Sequence, residues 1–334
     1  MKAAATVYNA HISIRKKPVN LLETDVLLFE HEFSKEINAT RIIEFTNANI
    51  LKDTIFSFKD FKYYKSLCHV FKIPKAKLFK KPLLFLLPYH KIESGVWITD
   101  EWSPEYFHWL TDVLSRLIAV EEFSGKQRLI LPSSFKKRSY VKQSLELLNY
   151  DVFYYNRKKR LIVKHLISAT HTAESGNYNS QVINKVRARL MNNDGIKPER
   201  KIYISRQKAL KRKIANEDEV VELLRSFGYE IHFFEEYDLK KQIEIMGQTK
   251  ILVGLHGAGL TNMLFMKSGG KILELRNEGD ADNNCYFSQA SALAHDYYYQ
   301  TSPGNTGDTS KVDITVDTNK LRYNLELMEQ ESVR

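Results

Sequence analysis

From Lys201 onward, strand-like and helix-like segments alternate with a regularity that few architectures satisfy. "KIYIS" is short and β-rich. "NEDEVVELLRSFG" then reads as a helix, with Asn216 as N-cap, Glu219 completing a capping box and Gly228 as the stop. "YEIHFF" is a strand, "DLKKQIEIMG" a helix and "KILVGL" a strand. "LTNMLFM" begins a helix, "KILEL" is a strand, "CYFSQASALA" a helix and "DYYYQ" a strand. Such alternation implies a parallel sheet covered by helices, a Rossmann-like domain of class α/β, and ligands of such sheets bind at the carboxyl ends of the strands.

The N-terminal half also reads as α/β. Strand-like runs "DVLLFE", "PLLFLLP" and "GVWIT" precede a helix from Pro104, with Ser103 as N-cap and proline at the first helical position. "RLILP", a helix at "SYVKQSLELL", "YDVFYY" and "RLIVKHLI" follow. The polar stretch from Ser168 to Ser180 lacks periodicity and contains Gly176, which makes it the expected interdomain connection. The expected organisation is residues 1–175 as an N-terminal domain, 176–304 as a C-terminal nucleotide-binding domain, and 305–334 as a strand and helix packing back on the body.

A chain of 334 residues, 43% hydrophobic, has the length for two domains. No apolar run reaches the ~18 residues of a bilayer span and the first residues do not read as a signal peptide, so the expected compartment is the cytoplasm. Cys68 and Cys285 are far apart and without metal-ligand spacing, which suggests packing roles and no zinc site. The net charge of +10 favours anionic partners, including nucleotides and the membrane surface, where peripheral association is an expectation. No nucleic-acid-binding motif is present.

The stretch "KILVGLHGAGLTNMLFM" places Gly254, Gly257 and Gly259 between a buried strand and a helix. Glycines there expose backbone N–H groups with the helix dipole behind them, which suits a diphosphate; the alternative is a tight turn that merely needs positive φ. The pattern is neither GxxxxGK[ST] nor GxGxxG. Glu274, twenty residues after Gly254, falls at the end of the next strand, where a carboxylate can accept from ribose hydroxyls. Ser205 and Arg206 end the first strand of the domain, beside the turn across the sheet, so Arg206 can fork onto phosphate oxygens unless it is a plain surface arginine. In the other half, His108, Asp112 and Arg116 recur at i, i+4 and i+8 on one helix face. Either His108 or Asp112 can act as a general base; the alternative is an exposed Asp112–Arg116 ion pair beside an ordinary histidine.

"SRQKALKRKIANEDE", followed by "GLHGAGLTNMLFM" and "ILEL", resembles the nucleotide-sugar half of glycosyltransferase family 61, and "EYFHWLTDVLSRL" is similar to that family's histidine–aspartate marker. Relatives of that family include plant xylan-decorating transferases, animal O-linked N-acetylglucosaminyltransferases and bacterial polysaccharide enzymes. Ser115 departs from the pattern, where bacterial relatives often carry proline. The resemblance implies a GT-B architecture, two Rossmann-like domains facing across a cleft, and inverting transfer of a sugar from a nucleotide diphosphate, expected to be UDP, to a glycan or lipid-linked glycan in bacterial surface polysaccharide synthesis. It assigns Arg206, His256, Gly257 and Ala258 to the diphosphate and Glu274 to the ribose. Ser205, Arg212, Gly259 and Asn262, on the same two loops, complete the expected donor site. His108 is the first choice for the base, because its ordinary pKa suits neutral pH, with Asp112 orienting it. No metal or other cofactor is expected, since "DAD" at Asp280 to Asp282 reads as a loop. Two competing readings are a dinucleotide-dependent oxidoreductase and a degenerate glycan-binding scaffold.

Overall fold

The computed structural model describes residues 2–51, 54–57, 62–64, 67, 86–191, 195, 197–309 and 311–330. The chain divides into two compact units, Met1–His11 with Ile37–Ser175, and Ile12–Glu36 with Gly176–Arg334. The division at Ser175/Gly176 lies inside the polar stretch noted above. Residues Ile12–Glu36 belong to the second unit, however, and not to the N-terminal domain where the sequence reading put them. Residues beyond 304 also belong to that unit.

The first unit is built on an eight-stranded mixed sheet. Its strands are β1 (Lys2–Tyr8), β4 (Thr40–Leu51), β5 (Thr54–Ser57), β6 (Lys62–Tyr63), β7 (Tyr89–Val96), β8 (Leu129–Pro132), β9 (Val152–Tyr155) and β10 (Arg160–Ala169), while β2 (His11–Ile14) and β3 (Ser34–Ile37) form a separate pair. The order is β6-β5-β4-β10-β7-β8-β9, with β1 on β4. Strands β10, β7, β8 and β9 run parallel; β4 is antiparallel to β10, β5 and β1. The N-terminal sheet is thus part parallel and part antiparallel, a correction to the all-Rossmann expectation. The antiparallel part went unread because "TRIIEFTNANIL" of β4 buries its residues without clean alternation. "DVLLFE", expected to be a strand, is helical through Val26–Phe29, with 3-10 turns on either side. Residues 82–85 of "PLLFLLP" and Cys68 lie outside the described residues.

The second unit carries five parallel strands, β11 (Arg200–Ile204), β12 (Glu230–His232), β13 (Thr249–Leu255), β14 (Lys271–Asn277) and β15 (Asp296–Ser302), in the order β12-β11-β13-β14-β15. This is the doubly wound order 2-1-3-4-5, whose switch point lies between β11 and β13. Six of the seven β14 residues are buried, as both-face coverage requires. The helix Glu217–Ser226 forms where expected, but Asn216 makes no cap bond. Its amide instead clasps Val316, accepting from the Val316 N–H at 2.9 Å and donating to the Val316 carbonyl at 2.9 Å. That clasp carries Val312, Ile314, Val316, Leu321, Leu325 and Met328 into the core of the unit, where each buried side chain contributes about 1.5–3 kcal/mol. "LTNMLFM", expected to begin a helix, lies but for its last residue within a 3-10 helix, Ala258–Phe265. Burial pushes the Cys285 thiol well up, consistent with a packing role. Among the described residues, no helix is long and apolar enough to cross a membrane, and no group of three His, Cys, Asp or Glu could hold a metal ion.

Candidate functional site

In the first unit, the chemistry gathers at the carboxyl ends of the parallel strands β7 and β10. Ser103 does not cap a helix. Its hydroxyl donates to Asp100 Oδ1 at 2.9 Å and accepts from the Asp100 N–H at 2.8 Å, and the helical run starts at Tyr106. A π-helical turn, Trp109–Val113, interrupts it before the α-helix Leu114–Ser124. Such turns are frequent at functional sites. Residues i and i+4 share one face of the helical run, and His108 meets Asp112 there, Nδ1 to Oδ2 at 2.9 Å. The Ser175 hydroxyl is 3.2 Å from both His108 Nδ1 and Asp112 Oδ2, and the Thr111 hydroxyl is 3.0 Å from Asp112 Oδ1. An ionised Asp112 therefore fixes the tautomer with the proton on Nδ1 and the lone pair on Nε2. That is the arrangement a base needs.

Arg116 is fully buried, so the exposed Asp112–Arg116 pair of the alternative reading does not form. Its Nε and Nη2 donate to the Ala169 carbonyl at 3.0 and 2.8 Å, and Nη1 is 3.5 Å from Asp100 Oδ2. The same Asp100 oxygen meets His171 Nε2 at 2.9 Å. Asp100, His171 and Ser175 were missed in the sequence because they lie in aperiodic segments; a histidine in the polar stretch after β10 was the one available signal.

In the second unit, the loops after β11 and β13 meet at the switch point, where Ile204 pairs with Gly254. A Cβ placed on Gly257 would lie 2.7 Å from Arg206 Nη1, so this glycine is required for the guanidinium to lie against the turn. Gly254 and Gly259 serve packing instead: a Cβ there would meet Leu260 or Ile204 at 3.0 Å. Arg206 is held by carbonyls of its own loop, Nε to Arg212 O at 2.9 Å and Nη2 to Lys211 O at 3.1 Å. Burial and then the neighbouring Arg212 charge pull its guanidinium below its ordinary pKa. Arg212 has positive φ (57°), and its buried Nε finds no acceptor among the described residues. Two arginines thus converge beside one glycine turn, one with an unmet buried donor.

Glu274 is not a surface carboxylate available to a ribose. It is 0% exposed and its two oxygens accept from His256 Nδ1 and the Tyr297 hydroxyl. Burial opposes its ionisation, but His256, Arg276 and Tyr297 together hold its carboxyl below the usual range. His256 Nδ1 is then the donor, and Nε2 accepts from the exposed Asn283 amide at 3.0 Å. Ser205 is likewise buried, donating to Glu217 Oε1 at 2.6 Å, and Asn262 donates to the Gly259 carbonyl at 2.9 Å. Of the expected donor residues, Arg206, Arg212, His256 and Gly257 are brought together with Ala258 and Gly259, while Ser205, Asn262 and Glu274 are turned inward.

Three relatives illustrate what the chain is similar to. It is 36% identical over 84 residues to the EGF domain-specific O-linked N-acetylglucosamine transferase of Bos taurus, covering 24% of this chain and 16% of that one. It is 26% identical over 221 residues to the alpha-1,3-arabinosyltransferase XAT2 of Oryza sativa subsp. japonica, covering 58% and 37%. It is 32% identical over 91 residues to the xylan glycosyltransferase MUCI21 of Arabidopsis thaliana, covering 26% and 18%. The chain therefore spans well under half the length of each of these relatives. The Glycosyltransferase 61 family model matches residues 106–273, half of the chain, from the helical run bearing His108 and Asp112 through the glycine turn to the residue immediately before Glu274 on β14, and on that match the chain belongs to glycosyltransferase family 61.

Proposed function

We propose that the protein is an inverting glycosyltransferase of GT-B type that moves a sugar from a nucleotide diphosphate, UDP, to a hydroxyl of a glycan acceptor in surface polysaccharide synthesis, working in the cytoplasm or on the inner membrane surface. The observation that carries the donor reading is the pair Arg206 and Arg212 at the Gly257 turn. Two like charges with an unmet buried donor are a costly arrangement in the absence of an anion, and a diphosphate relieves both costs. Fixed positive potential at that point also stabilises the leaving diphosphate, so the reading needs no metal. Partial backbone N–H charge at the start of the 3-10 helix adds to it, and His256, backed by Glu274, supplies a further polar group at the rim. Glu274 itself acts by positioning His256.

On the acceptor side, His108 Nε2 takes the proton of the acceptor hydroxyl as oxygen attacks the anomeric carbon. Asp112 steadies the imidazolium that results. A dinucleotide oxidoreductase loses its main support with the burial of Glu274, whose carboxylate was to hold the ribose. The test is calorimetric titration with UDP, with and without EDTA, followed by donor turnover. Micromolar UDP binding unchanged by EDTA supports the reading. Turnover that vanishes with EDTA and returns with manganese refutes the metal-free mechanism, and binding of NADH in preference to UDP refutes the transferase.

A further inference from the structure

Two of the three tryptophans in the chain belong to the core: Trp97 is 1% exposed and Trp109 is 0% exposed. Trp102 is 41% exposed, on the turn between β7 and the helical run that carries His108. One carboxylate builds that turn. Asp100 Oδ1 accepts from the Trp102 N–H at 3.1 Å, and from the N–H and hydroxyl of Ser103 at 3.1 and 2.9 Å. The Trp102 carbonyl accepts from the Glu105 N–H at 2.9 Å, and the Pro104 carbonyl accepts from the Tyr140 hydroxyl. A turn fixed in this way leaves little entropy to be lost when a ligand lands on it.

The indole leans on the candidate base. The ring centroids of Trp102 and His108 are 5.0 Å apart with the planes at 38°, and Phe107 stands edge-on to the same imidazole at 5.0 Å and 86°. An indole face carries partial negative charge and attracts the polarised C–H bonds of a pyranose, whose hydroxyls project from its rim. A sugar seated on the indole at van der Waals separation, about 4 Å, carries those hydroxyls alongside the imidazole. The charge around the turn narrows the class of sugar. Glu101 and Glu105 are exposed, whereas no lysine or arginine occurs between Lys91 and Arg116, and Arg116 is fully buried. In a chain of net charge +10 this turn is locally acidic, so it repels a uronate and an anionic bilayer alike.

We infer that Trp102 is the platform on which the acceptor glycan stacks, and that the sugar it takes is uncharged: the indole packs against a C–H face and sets one hydroxyl of that sugar at His108. The service of this contact to transfer rests on the transferase reading; the stacking itself does not.

Acrylamide quenching of tryptophan fluorescence in the full chain reports on Trp102, because the other two indoles are buried. At least one of cellotetraose, xylotetraose and galactotetraose should shield Trp102 from acrylamide, and tetragalacturonate at equal concentration should shield it several-fold less. Ligand-observed NMR then follows the same sugar on Trp102→Phe, expected within about threefold of the wild-type affinity, and on Trp102→Leu, expected to lose about tenfold, since leucine fills space without a π face. A quenching curve that none of the three neutral sugars changes overturns the inference, and so does binding that Trp102→Leu leaves intact. Equal shielding by tetragalacturonate refutes the uncharged class. Shielding by phosphatidylglycerol vesicles in place of the sugars makes Trp102 a membrane contact and refutes the glycan. A protein that binds UDP but none of the sugars overturns this inference alone, whereas one that binds a sugar at Trp102 but no UDP overturns the donor reading alone.

Discussion

Replacing Arg212 by methionine separates what the residue does for the fold from what it does for a ligand. Methionine keeps most of the unbranched stem and removes the guanidinium. In the free protein that guanidinium has a buried Nε without an acceptor among the described residues and lowers the pKa of its neighbour Arg206. An unmet buried donor costs about 1–3 kcal/mol. The loop keeps the bonds that shape it, because Arg206 is held by the backbone carbonyls of residues 211 and 212, which the substitution retains. Arg212→Met should therefore leave the free protein as stable as before, or more stable by about 1–2 kcal/mol. With diphosphate bound, the variant forgoes a charge-assisted hydrogen bond of about 1.5–3 kcal/mol, a loss of roughly 10- to 150-fold in UDP affinity. At a UDP concentration 100 times the wild-type Kd, the wild type gains about 2.7 kcal/mol by mass action, and a variant binding 30-fold more weakly gains about 0.9 kcal/mol. Urea denaturation with and without UDP reads both numbers, and calorimetry gives the affinity directly. A folded variant with unchanged UDP affinity refutes the donor site, and a free variant destabilised by more than about 1 kcal/mol shows that the guanidinium supports the fold instead.

His108→Ala and Asp112→Asn should each lower turnover about 10²- to 10⁴-fold with UDP affinity nearly intact; wild-type turnover in both removes the pair from the mechanism. Glu274→Gln should destabilise the protein by about 3–5 kcal/mol, since it removes the fully buried carboxylate beside Arg276 and leaves Asp280 as that guanidinium's remaining acidic neighbour, and urea midpoints will show it. A stable Glu274→Gln protein that loses UDP affinity but keeps pyrophosphate affinity would return Glu274 to the ribose. His295 is buried, with Nε2 3.1 Å from the Met263 carbonyl, and burial lowers its pKa to about 4. The unfolded chain takes up that proton near pH 6.5 and the folded one only near pH 4, so stability should fall as pH drops through this window, by up to about 3 kcal/mol. His295→Gln should flatten the wild-type slope between those limits; an unchanged slope means the loss belongs to other groups.

The second unit was legible because its strands are buried on both faces and its helices are amphipathic, so the two periods separate cleanly in the sequence. The antiparallel strands β1, β4 and β5 were not, since β4 mixes buried and exposed residues without a period of two. Short polar residues were read as caps at Ser103 and Asn216; Ser103 instead closes a local turn on Asp100, and Asn216 ties the distant backbone of Val316. Local sequence shows that such a side chain seeks a partner but not which of several backbones folding will bring to it. The same limit governed the donor site. Glu274 stands at the right distance from the glycine turn, but strand parity in a sheet covered on both faces gives no outward side, and its side chain points into protein.

The histidines at these strand ends share a construction that explains why so much charge is buried beneath them. His108 meets Asp112, His171 meets Asp100 and His256 meets Glu274, and the three carboxylate side chains are 10%, 3% and 0% exposed, each less than its histidine at 20%, 16% and 10%. Burying a carboxylate is unfavourable unless it is well bonded, and each of these is: Asp100 by Ser103 and Arg116, Asp112 by Thr111 and Ser175, Glu274 by Tyr297. What the arrangement secures is a fixed tautomer with a fixed ring direction, which a histidine on a free χ2 lacks. At His108 and His256 the carboxylate takes the Nδ1 side, and at His256 Nε2 meets the Asn283 amide; at His171 the carboxylate takes Nε2, so the ring is turned the other way. The direction a backed ring presents is thus set by which nitrogen its carboxylate holds. His171 is accordingly suited to orienting Asp100 and the buried Arg116, and His108 to accepting a proton.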